Sequence, residues 1–246
     1  MNMSVNFPNS KSKHLNTEQT NAFGHRVDQI RREVMDSLGE QDAKYIYKIR
    51  NFVRYSEITS RGMLMFGGWI PPVWVVGTGL LGISKIVENM ELGHNVMHGQ
   101  FDWLNDPNLN GANYDWDTMS SGDDWKYTHN YIHHTYTNIV GKDHDVGYGL
   151  LRVSESQKWE PRFLLNIPLA IQLMVFFEWY VGVQNLHLED ALIYKTKTWK
   201  QVWADASKFR KKVRRQVLKD YVFFPVIAGP NALPVFAGNA VANVIR

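Results

Sequence analysis

Cysteine is missing from all 246 residues. Disulfides, thiolate zinc sites and cysteine-held iron–sulfur clusters are therefore excluded within the chain. Net charge is small: 27 Lys and Arg against 24 Asp and Glu leave +3, too little to argue for a nucleic-acid partner. Uninterrupted apolar runs are lacking too. Residues 62–84 and 221–245 are free of charge, yet Pro71-Pro72 breaks the first, and Gly229-Pro230 with Pro234 breaks the second. No basic start leads into an apolar core, so no cleavable signal is expected.

Aromatic residues and methionine are plentiful: 9 Trp, 11 Tyr, 12 Phe and 9 Met, at a mean hydropathy of −0.32. Such a chain concentrates its apolar residues in a few segments with aromatic margins. Residues 1–24 read as a polar tail, disordered or loosely attached. An amphipathic helix follows through Val27, Ile30, Val34 and Leu38, stopping at Gly39, and a second starts near Gln41.

Charge placement sets a topology. Residues 195–219 hold ten Lys or Arg and one acid, Asp205, which places that loop on the cytoplasmic side. The basic stretch 44–54 and the polar region 100–158 belong there as well. The first apolar segment must then enter and return, as a hairpin over about 52–98 turning near Pro71-Pro72. Glu57 and Arg61 sit awkwardly in its incoming arm. A second hairpin begins at 221, turns near 229–234 and is incomplete at Arg246. The stretch 163–186, with Pro168 and Glu178, fits an interfacial or re-entrant segment better than a span. The expectation is an all-α integral membrane protein of helical hairpins, residues 25–246, with a cytoplasmic histidine-rich cap.

Five of nine histidines lie in two clusters, His94-Asn-Val-Met-His98 and His129-Asn-Tyr-Ile-His133-His134. A helix brings positions four apart onto one face, and imidazole is the commonest metal ligand. His94, His98, His129, His133 and His134 are the expected ligands. His-Glu-x-x-His is absent, which removes the zinc-protease reading, and five histidines exceed the four ligands of a structural zinc. Glu-x-x-His, the bundle di-iron motif, occurs once, as Glu91-Leu-Gly-His94. Glu91 is thus expected to accept a ring N–H from a coordinating histidine. Asp123 and Asp124 read as solvated loop acids. His144, between Asp143 and Asp145, is attractive for metal but its role stays open. His14, His25 and His187 lack ligand spacing.

The two clusters resemble the first two histidine boxes of the membrane fatty acid desaturases. The flanking words Glu91-Leu-Gly-His-Asn-Val-Met-His98, His133-His-Thr-Tyr-Thr-Asn138 and Gly141-Lys-Asp-His-Asp-Val-Gly-Tyr-Gly149 are similar to a bacterial acyl-CoA branch, mycobacterial-type and linoleoyl-CoA desaturases. That resemblance implies two non-haem irons held by three boxes, with O2 as co-substrate, forming a cis double bond in a fatty acyl chain. It implies as partners membrane lipid, an acyl thioester of CoA or acyl carrier protein or a lipid-linked chain, and a separate electron donor, ferredoxin/reductase or cytochrome b5-type. The third box, His-x-x-His-His, does not occur. The chain reads as the N-terminal part of a longer desaturase, not expected to turn over alone. The alternatives are a histidine-box hydroxylase and a catalytically dead, metal-binding remnant.

Overall fold

The computed structural model describes residues 15–143, 145–184, 186, 188–192 and 195–246. All regular structure among them is helical, as expected. Contacts divide the chain into residues 1–45 and 46–246.

In the smaller unit, α1 spans Thr17–Ser37. Asn16 starts it with a capping box: its Oδ1 accepts the Gln19 amide at 2.8 Å, and Gln19 Oε1 accepts the Asn16 amide at 3.0 Å. Residues 17–24 of the stretch read as a polar tail belong to this helix. Phe23, Val27, Ile30 and Val34 recur at helical spacing, all exposed. Next, α2 runs Glu40–Gly67, opened by the Gly39 amide donating to Asp42 at 3.0 Å.

In the larger unit, α2 turns at Gly68–Ile70 into α3 (Pro71–Ile86). The prolines begin the return arm, since a missing N–H is harmless in the first helical turn. Without a break α3 passes through a π-helical turn, Val87–Gly93, into α4 (His94–Met97). The chain then runs through loops to α5 (Gly122–Trp125), a second π-helical turn Lys126–His133 and α6 (His134–Tyr136). Beyond lie α7 (Asn166–Val175), α8 (Phe177–Gln184) and α9 (Leu188–Leu192). Finally α10 (Trp199–Gln216) continues through a third π-turn, Val217–Phe223, into α11 (Phe224–Ile227), and α12 (Ala232–Ile245) returns beside it.

Both hairpin turns therefore fall where the prolines place them. Trp69 Nε1 donates to the Pro230 carbonyl at 2.8 Å and Trp74 Nε1 to that of Pro234 at 2.9 Å, tying the two tips together. Leu64, Leu81, Ala228, Val235 and Ala242 form the core between the hairpins. Glycine permits this close approach: a Cβ on Gly82 would stand 2.8 Å from the Ile245 side chain.

The awkward charges have partners. Arg61 meets Glu57 at 2.9 Å and Asp220 at 3.2 Å, while Lys85 reaches Asp220 at 3.0 Å. No described helix is by itself long and apolar enough to cross a bilayer. Pro161–Val175 and Phe177–Gln184 pass that test only as a pair, bent by 93°, so residues 161–184 form no straight rod.

Candidate metal centre

Two π-turns deliver the histidines. The first lies immediately before His94, and the second contains His129 and His133. A π-turn bonds five residues back, so positions four and five apart straddle one wide turn. The His129 ring lies 4.8 Å from that of His133, nearly parallel, and 5.0 Å from that of His134. All three thus share a face, which a regular α-helix would not arrange as well.

The clusters face each other. His129 packs at 5.1 Å from His94 and 5.3 Å from His98, and His98 lies 4.8 Å from His134. Asn130 joins the two elements by donating to the Met97 carbonyl at 2.9 Å. The five expected residues therefore converge. Ring nitrogens of His94, His98 and His129 lie within 4.8 Å of one another, as do ligand atoms of His129, His133 and Asp145.

Two acids orient the second cluster. His133 Nδ1 meets Asp143 Oδ2 at 2.9 Å, and His129 Nδ1 meets Asp145 Oδ2 at 3.3 Å. An ionised carboxylate only accepts, so each Nδ1 carries the hydrogen, which in a neutral ring leaves the lone pair on Nε2 for a metal. Burial pushes Asp143 upward, but the amides of Asn138 and Asp145 and the His133 ring outweigh it and hold the acid below its ordinary value.

Three of the rings are also held toward the neutral form. Burial, then the other histidines, lowers His94 and His134, and brings His98 down to about 4. Uncharged imidazoles with outward lone pairs suit iron, copper or zinc. His94 Nε2 and His98 Nε2 stand 3.0 Å apart, so both would be within reach of one ion. The donor set fits a transition metal.

Trp125 backs the centre. Its ring stacks on His129 at 4.4 Å and meets His94 and His98 edgewise at 5.2 and 5.4 Å. Beside the rings lies a cavity of about 210 Å³, lined by Met90, His94, Trp125, His129, Met174 and Phe177 among others.

Other expectations fare differently. Glu91 is exposed and, among the described residues, its carboxylate meets no histidine; its carbonyl accepts Asn95 Nδ2 at 2.6 Å. The expected N–H acceptor role is thus corrected: the π-turn rotates Glu91 off the face of His94. Asp143 and Asp145 do that work for the second cluster, and Asp-x-Asp shortly after the second box was the signal for them. Asp123 pairs with Lys208 at 2.9 Å, and Asp124 meets the Ser121 hydroxyl. His25 is exposed on α1. His14, His144 and His187 lie outside the described residues.

Comparison with known proteins accords with this geometry. The family model described as fatty acid desaturase matches residues 68–245. The chain belongs to the fatty acid desaturase family. It is 42% identical over 233 residues to the NADPH-dependent stearoyl-CoA 9-desaturase of Mycobacterium tuberculosis, covering 94% of this chain and 54% of that enzyme. It is 33% identical over 124 residues to the sn-1 linoleoyl-lipid 6-desaturase of Synechocystis, covering 48% of this chain and 34% of the relative. The chain thus spans about half the length of the mycobacterial desaturase. No solved structure matches it.

Proposed function

We propose that this chain supplies two histidine boxes of a membrane-bound, O2-dependent acyl desaturase. The observation that carries the reading is His129, whose ring packs against those of His94, His98, His133 and His134. His94, His98, His129, His133 and His134 hold iron, two ions in the complete centre, and Asp143 and Asp145 fix the rings of His133 and His129. When bound, iron supplies the O2 chemistry that an unactivated methylene needs, since such a carbon has no acidic proton for a side-chain base.

The chain's own residues do the rest. Met90, Met174 and Phe177 give the cavity an apolar wall suited to an acyl chain, and Trp125 supports the His129 ring by stacking on it. Forming one double bond with O2 yields two waters and calls for two further electrons and protons. An electron donor follows from that balance. The mycobacterial relative is named for stearoyl-CoA and the cyanobacterial one for a lipid-linked chain. The broader match makes a CoA thioester the first substrate to test.

The two hairpins enter the bilayer, with the histidines on the cytoplasmic side. Support comes from their outward faces: Tyr55, Ile58, Phe66, Val75, Val226 and Leu233 are all exposed, Phe66 by 86% and Val226 by 70%. The charges inside this layer, Arg61, Lys85 and Asp220, are buried against one another.

The test is lipid analysis of cells expressing the gene together with whatever reading frame follows codon 246. Mass spectrometry should show acyl chains lighter by two hydrogens, absent when His94 or His133 is replaced by Ala. A product heavier by one oxygen would make it a hydroxylase, and no product in any form would support a remnant.

A further inference from the structure

The continuous helical rod over residues 199–227 changes character along its length. From Lys211 to Arg215 its outward side is cationic: Lys211, Arg214 and Arg215 are exposed, and none makes an ion pair among the described residues. One turn later the surface becomes apolar, with Leu218, Val222, Phe223, Val226 and Ile227 all exposed. Between Lys211 and Ile227 the acid is Asp220, fully buried against Lys85 and Arg61, so this part of the surface shows cations without an exposed acid.

We propose that Lys211, Arg214 and Arg215 form a docking site for anionic phospholipid headgroups. The inference rests on the membrane reading above and adds a lipid class to it. Its argument is charge complementarity at the right height. The helix rises 1.5 Å per residue, so Lys211 stands about 10 Å and Arg215 about 5 Å from Leu218. The polar layer flanking the hydrocarbon is roughly 5–8 Å deep on each side, within reach of these long side chains. On α2 the same change occurs, from exposed Lys48 and Arg54 to exposed Tyr55 and Ile58.

An acidic protein is the competing kind of partner, but it leaves the adjoining apolar strip uncovered, whereas a bilayer covers strip and cations together. Free phosphate has the right charge and no tail to fill that strip.

The test uses the full chain in detergent micelles offered equal amounts of phosphatidylglycerol and phosphatidylcholine, with retained lipids counted by native mass spectrometry. Phosphatidylglycerol should be retained preferentially, and salt should weaken the preference. Each cation near an anionic surface contributes about fivefold, so the triple change K211Q/R214Q/R215Q should reduce the preference by at least about tenfold. Inorganic phosphate at the same concentration should not displace the lipid. Equal retention of both lipids by the unchanged protein, an undiminished preference in the triple variant, or displacement by phosphate would overturn the site. Flotation with phosphatidylcholine vesicles reads the membrane claim separately: a chain that floats without headgroup preference refutes only this proposal, and one that does not float refutes the membrane reading itself.

Discussion

His133 donates its Nδ1 hydrogen to Asp143 across 2.9 Å, and Asp143 is itself held by the Asn138 and Asp145 amides at 2.7 and 2.9 Å. A carboxylate fixed from several sides cannot swing, so the His133 ring is held with Nε2 outward. Outer partners of this kind are worth roughly 10–100-fold in metal affinity. Asp143→Ala should weaken cobalt or ferrous binding by that factor with the helical content unchanged. Unaltered affinity would show that the ring is held by other contacts.

Acid should destabilise the metal-free protein in a defined window. Burial, then His94, His129, His134 and His133, lowers His98 from 6.5 to about 4. Between those values the unfolded chain binds a proton that the folded chain does not. Stability therefore rises with pH across the window and falls on acidification. The denaturant midpoint of the metal-free protein should drop as pH goes from about 7 to about 5. His98→Gln should flatten that slope, and an equally steep slope in the variant would contradict the assignment.

Trp125 touches three of the five rings, so its loss should be felt by metal and fold alike. Trp125→Ala should cost about 3–5 kcal/mol of stability and loosen metal binding. Trp125→Phe should retain most of both, because a ring still stacks on His129. Thermal unfolding and metal titration on the two variants check this. Equal behaviour of Ala and Phe would argue against ring support.

Asp220 joins the hairpins through Arg61 and Lys85. Removing it leaves Arg61 with Glu57 alone and Lys85 with Asp117 at 3.8 Å, and breaking a buried pair in this way typically costs about 3–5 kcal/mol. Asp220→Ala should lower the unfolding temperature in detergent far more than Lys211→Gln, which removes an exposed charge. Similar shifts for the two would mean that the buried network contributes little.

The hairpins were legible because prolines and charge distribution are strong signals. Pro71-Pro72 and Gly229-Pro230 admit few positions in a helical arm; the first pair opens the return helix and the second lies in the turn. The five ligand-type histidines were legible from spacing alone. The π-turns were not, because the same residues fit an α-helix when read as a string; the extra residue per turn shows only in the backbone. That difference misplaced Glu91. It also hid how His129, His133 and His134 come to share one face. Asp143 and Asp145 were missed as partners because they act from a loop, where no periodicity points a side chain. Asn16 and Gln19 were a readable helix start that the polar composition of residues 1–24 obscured.

The central claim is that five imidazoles share a metal centre organised around His129. X-ray absorption at the iron edge, on protein reconstituted with ferrous iron, tests it most directly. The account predicts a nitrogen-dominated shell at about 2.0–2.2 Å with the outer scattering of imidazole rings, lost together with bound iron in His129→Ala. An oxygen-only shell, or undiminished iron binding without His129, would contradict it.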